Sequence, residues 1–211
     1  MTRRECKLVT FDLIIARCGS SKVPLVLCVP VSDWVTTPPF KSEPPPAATD
    51  PVQSMVKQWA GEIQSNAPHG NRVAASKSIL EVDANYALAD CEIGRSSYEG
   101  AIAPPREVSY YLRQAIDHDV CPLRTTTVIG NTIRSSGGEG VWLVDVPAIV
   151  DRRDGEGRAI PDDILDPRWF VDHVHPTIEG HQEIATAIYE TLPQQGWIRD
   201  SSNAECVYTK K

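Results

Sequence analysis

The chain has 211 residues, 21 basic and 28 acidic, for a formal net charge of −7. Its apolar fraction of 41% and charged fraction of 23% exclude a disordered or fibrous chain and suit one globular core. The acidic balance argues against a nucleic-acid binder, and no apolar run reaches the ~18 residues of a membrane span.

Taken in chain order, residues 4–17 place Leu8, Phe11, Ile14 and Ile15 on one helical face. Gly19 lies where helices stop. Val23 to Pro30 is a short, continuous apolar run, the pattern of a strand buried on both faces. Six prolines between residues 36 and 51 mark a loop or linker. Asp50-Pro51 then reads as a helix start. From there to about residue 119 the pattern is helical, with breaks at Pro68-His69-Gly70, Asp83-Ala84-Asn85 and Pro104-Pro105, so four short helices are expected. Gly140 to Val146 is a second buried-strand candidate, and residues 151–168 read as a polar loop. The last helix, about 177–192, sets Ile178, His181, Ile184, Ala185, Ile188 and Leu192 on one face, which would make His181 a core residue.

The expected fold class is α/β, with residues 1–40 and 120–193 as a discontinuous α/β portion, an all-helical insertion at 50–119 and a tail at 194–211. The cysteines, Cys6, Cys18, Cys28, Cys91, Cys121 and Cys206, form no CxxC pair. They read as free thiols of a reducing compartment. The first residues are too charged for a signal peptide, so a cytoplasmic location is the default expectation.

Within the helical stretch, the Ile93-Gly94 pair lies midway through one helix with Tyr98 near its end, and Leu112 and Ala115 follow in the next helix. Gly94 would let the partner helix approach closely and Ala115 would fill the crossing. This spacing resembles a tetratricopeptide repeat, with Asp90 where the repeat usually has Trp and two extra residues in the turn at 101–105. An earlier partial copy ends at Asp83-Ala84-Asn85. Fewer than three repeats do not usually stand alone, so these helices should lean on the α/β body. Such an insertion offers either a packing element or a groove for a protein partner.

The chemistry concentrates in Phe170-Val171-Asp172-His173-Val174-His175-Pro176-Thr177-Ile178-Glu179-Gly180-His181. An acid three residues before a histidine can fix its tautomer and favour its action as a general base. The position just before a helix N-terminus disfavours the imidazolium form. This block resembles the last conserved block of the SGNH (GDSL-type) hydrolases, and the strand candidate at 140–145 resembles the strand before it. The resemblance implies a three-layer α/β/α sandwich, of which this chain would hold part. It also implies hydrolysis or transfer of ester-linked acyl groups, with Asp172 as the orienting acid, His175 as the base, a small-molecule ester as substrate and no cofactor.

The family's Gly-Asp-Ser and Gly-x-Asn-Asp blocks are absent, and so is a Gly-x-Ser-x-Gly elbow. Ser32, just past the first strand at the carboxyl edge where such sites form, is the one candidate replacement nucleophile. Arg124, in Cys121-Pro122-Leu123-Arg124, is a candidate substrate contact or ion-pair partner. The chain begins after the missing blocks, which implies a truncated hydrolase or a non-catalytic relative. It should show no esterase activity alone and should expose a strand edge that limits solubility. The alternative is a scaffold protein whose repeats bind a partner and whose Asp-His pair is vestigial. A metal cluster of Asp172, His173, His175 and His181 is disfavoured by spacing, with no cysteine nearby and no His-Glu-x-x-His helix.

Overall fold

The computed structural model describes residues 3–43, 50–64, 67–149 and 164–194. In chain order these form α1 (Arg3–Ser20), β1 (Leu25–Cys28), α2 (Asp50–Gln64), α3 (His69–Val82), α4 (Ala87–Glu99), α5 (Pro105–Asp117), α6 (Thr127–Ser135), β2 (Val141–Val144), the short α7 (Val146–Ile149), a 3-10 turn (Pro167–Trp169) and α8 (Ile178–Gln194). The chain is therefore mixed α/β and mainly helical. Among the described residues no helix is long and apolar enough to cross a membrane.

β1 and β2 pair in parallel, Leu25 opposite Val141 and Cys28 opposite Val144. Both strands are apolar throughout because both faces are covered. Leu25, Leu27, Val141 and Leu143 pack with Phe11 and Ile15 of α1 and Ile129 and Ile133 of α6. Val26, Cys28 and Val144 pack on the other face with Ile184, Ala187 and Ile188 of α8. Alternating side chains of one strand thus enter two different clusters.

The four helices expected between residues 50 and 119 are α2 to α5, and their breaks fall at the proline and Asp-Ala-Asn positions. Gly94 sits where α4 crosses α5: a Cβ there would lie 2.6 Å from Cγ and 3.1 Å from the backbone nitrogen of Leu112. Ala115 is buried. Asp90 is buried as well, and its Oδ2 meets Nδ1 of His118 at 2.9 Å. Trp59, Ile79, Tyr86 and Ala89 close the core between α2, α3 and α4.

These helices are fastened to the α/β body. The Asp119 carboxylate accepts the backbone N–H groups of Phe40, Lys41 and Cys121, and the Ser42 hydroxyl accepts that of Leu88. Val35, in the loop after β1, packs against Val108 and Leu112 of α5.

Three features differ from expectation. α6 was not anticipated, although Thr126 in extended conformation followed by Val128, Ile129 and Ile133 is a helix-start pattern. Ile164, Leu165 and Asp166, assigned to a polar loop, are buried, and the rest of that loop at 151–163 lies outside the described residues, as does the tail from 195. His181 is exposed rather than in the core, as are Ile178 and Ala185. The inward stripe of α8 runs Gly180, Ile184, Ala187, Ile188, sharing Ile184 and Ile188 with the apolar face read from the sequence, and Leu192 is half-buried.

Candidate active site

The Asp172–His175 loop is built from both ends. Before it, Asp166 caps the 3-10 turn, its Oδ1 accepting the N–H of Arg168 at 2.9 Å. After it, Thr177 caps α8, its hydroxyl accepting the N–H of Gly180 at 3.2 Å. The two flanks are tied together: Thr177 N–H donates to the Trp169 carbonyl at 2.7 Å, and Val171 N–H to the His175 carbonyl at 2.8 Å. Glycine is required at 180, because a Cβ there would collide with the Trp169 carbonyl oxygen and lie 3.0 Å from Cβ of Pro176. The Pro-Thr-x-x-Gly spacing is thus a device for closing this loop against α8.

Inside the loop, Oδ1 of Asp172 accepts the backbone N–H groups of Val174 (3.0 Å) and His175 (2.9 Å). The same carboxylate holds Nδ1 of His175 at 2.8 and 2.9 Å. Those two amides, and then the imidazole, hold the Asp172 carboxyl well below the usual carboxylate range. A carboxylate can only accept, so Nδ1 carries the hydrogen, and in the neutral ring that leaves Nε2 as the acceptor. The imidazole is 76% exposed and the carboxylate 44%. The pair is thus fixed in orientation and open to solvent.

Ser32 and His175 lie on segments that are joined by a backbone hydrogen bond. Asp33 N–H donates to the His173 carbonyl at 2.9 Å, which docks the loop after β1 onto the dyad loop. The Ser32 hydroxyl is buried, accepts the indole N–H of Trp34 at 3.1 Å and lines a separate cavity. No hydrogen bond links it to His175 among the described residues.

Arg124 is only 5% exposed. Its Nη1 donates to the carbonyls of Asp33 (3.0 Å) and Thr37 (2.9 Å), while Nη2 finds no partner among the described residues. It holds the loop after β1 through backbone oxygens. The Asp33 carboxylate supports the same loop, accepting Val35 N–H at 2.9 Å, Thr36 N–H at 3.0 Å and the Thr37 hydroxyl at 2.9 Å.

Among the described residues, no three His, Cys, Asp or Glu side chains converge as metal ligands. Comparison with models of known protein families, with curated proteins and with solved structures gives no match. The reading of this site therefore rests on its own geometry.

Proposed function

We propose that this chain carries the acid–base half of an ester-hydrolysing site of the SGNH type. The observation behind this reading is the Asp172 carboxylate held by two backbone amides and clasping Nδ1 of an exposed His175. With a serine hydroxyl presented to Nε2, His175 would take its proton as the oxygen attacks an ester carbonyl. The same proton then passes to the departing alkoxide, and a second cycle with water releases the acid. Asp172 would stabilise the imidazolium formed in between. The finer fold reading, part of a three-layer α/β/α sandwich, is supported by helices on both faces of the strand pair.

No serine meets His175 among the described residues, so the polypeptide by itself is read as inactive on esters. The alternative role, a scaffold whose repeat-like helices bind a partner, has the α4–α5 crossing at Gly94 in its favour. Against it, Asp119 and Ser42 fasten those helices to the body, the behaviour of a packing element.

The test is chemical reactivity read by mass spectrometry. Diethyl pyrocarbonate should modify His175 faster than His181, and Asp172→Asn should remove that advantage. Equal rates at both histidines, unchanged in Asp172→Asn, would defeat the reading. A fluorophosphonate should leave every serine unlabelled. A serine adduct lost in His175→Ala would overturn the half-site claim by showing a complete site in this chain.

A further inference from the structure

α1 packs on one face of the strand pair and α8 on the other, so their outer surfaces look away from each other. Both outer surfaces carry apolar side chains in solvent. On α1, Leu13 is 64% exposed and Ile14 is exposed beside it. On α8, Ile178 is 75% exposed and Tyr189 56%, with Gln182 and Ala185 exposed between them. Steps of four, three and four residues set these side chains in one stripe about 16 Å long. α8 therefore has two stripes. Ile184, Ala187 and Ile188 hold it to the sheet, and one such stripe is enough to seat a surface helix. The second is the kind of surface that marks an association site.

The two surfaces differ in sign. Glu179, Glu183 and Glu190, all exposed, share one flank of the outer α8 stripe, and α8 contains no lysine or arginine. Residues 3–22 hold Arg3, Arg4, Lys7, Arg17 and Lys22 against Glu5 and Asp12, a positive segment in a chain of net charge −7. Arg17 lies four residues after Leu13 and three after Ile14, so it shares their side of α1, and it is exposed. Two α8 surfaces brought together would oppose rows of carboxylates, and two α1 segments would oppose like charges. Only α1 against α8 joins apolar to apolar with opposite signs alongside.

We propose that α1 of one copy of this chain docks on the outer stripe of α8 of a second copy, with Leu13 and Ile14 against Ile178, Ala185 and Tyr189. Arg17 then lies toward the glutamate row. The contact is head-to-tail, because the two surfaces are on opposite faces of the sheet. A pair still presents one α1 and one α8, so association continues past the dimer unless the rotation closes a ring. One helix face on another stays below the ~1,200 Å² of stable complexes, so the assembly is weak and depends on concentration. The proposal is independent of the hydrolase reading, since neither Asp172 nor His175 takes part.

Sedimentation equilibrium of the full chain between about 10 μM and about 1 mM should show a mean mass that rises with concentration. Sodium chloride should lower it by screening the charges. Leu13→Ser and Tyr189→Ser alter exposed positions, and circular dichroism checks that both variants fold. Each should weaken association about tenfold or more. The deciding measurement mixes the two variants. Each keeps the surface that the other has lost, so an equimolar mixture should regain pairs that neither variant forms alone. A mixture no heavier than its components would overturn the proposal, as would a wild-type chain of monomer mass throughout. Loss of association in Tyr189→Ser but not in Leu13→Ser would also overturn it, by showing α8 paired with itself. Association that salt does not weaken would overturn the pairing of opposite signs on which the choice of a second copy rests.

Discussion

The backbone amide of Asp33 donates to the carbonyl of His173 at 2.9 Å, joining the loop after β1 to the loop that holds the Asp-His pair. Helices α2 to α7, strand β2 and the 3-10 turn separate the two in sequence. Their contact is secured from the Asp33 side by its own carboxylate and by Arg124 on its carbonyl. The dyad is thus seated on a fixed support, while its imidazole faces solvent.

Asp172→Asn should lower the unfolding midpoint at neutral pH. The folded carboxyl titrates below its unfolded counterpart, so its contribution is present above the ordinary carboxylate range, about 4, and is lost as pH falls through the folded value. The gap between wild type and variant should be full at pH 7 and narrow toward pH 2. Thermal denaturation followed by circular dichroism across that range checks it; a gap independent of pH would refute the assignment.

Gly180→Ala should cost about 1–3 kcal/mol, since the new methyl meets the backbone oxygen of Trp169 and one of the two must move. Because that oxygen also accepts the amide of Thr177, the cap of α8 and the dyad loop should loosen together. Urea unfolding gives the first quantity and the rate of His175 modification the second.

At the helix crossing, Gly94→Ala forces α4 away from Leu112, at both side chain and backbone. The expected loss is about 2 kcal/mol. A urea midpoint within error of wild type would mean that α4 and α5 pack less closely than described.

Burial pushes the Asp90 carboxyl up to about 6, against the hydrogen bond and charge of His118, which act the other way. A group whose folded pKa is raised binds its proton more readily in the folded state, so its contribution to stability falls as pH rises from about 4 to about 6. Asp90→Asn should remove that fall, a change of about 1–3 kcal/mol across the window. Urea midpoints of the two proteins between pH 4 and pH 7 give the comparison, and parallel curves would contradict it.

Thiol accessibility separates two cysteines. Cys121 is exposed, whereas Cys91 is buried and burial pushes its thiol up to about 11. A chromogenic disulfide reagent should modify Cys121 in the native protein and Cys91 only on unfolding. Native modification of Cys91 at a comparable rate would place it nearer the surface than α4 allows.

Much of the architecture was legible locally. Pro104-Pro105 and Asp83-Ala84-Asn85 end and start helices through backbone geometry that no distant contact is needed to enforce. The apolar runs around Leu27 and Leu143 specify strands covered on two faces. The Asp172-to-His175 spacing specified its own pair, because the residues that close the loop lie within a dozen positions of each other.

Other positions were decided by distant partners. His181 sits on an apolar stripe in sequence, yet α8 packs through Gly180 against Trp169 and through Ile184, Ala187 and Ile188 on the sheet, and His181 is left in solvent. Arg124 reads as a substrate contact or ion-pair partner, and only the fold brings the carbonyls of Asp33 and Thr37 to it. Ser32 stands at the correct strand edge, but its hydroxyl is claimed by Trp34 and directed to the cavity. Local sequence determined the helices, the strands and the Asp172–His175 pair, whose hydrogen bonds run over short loops. Packing across the sheet alone decided which groups share a cavity and which meet the dyad, because those distances depend on segments far apart in the chain.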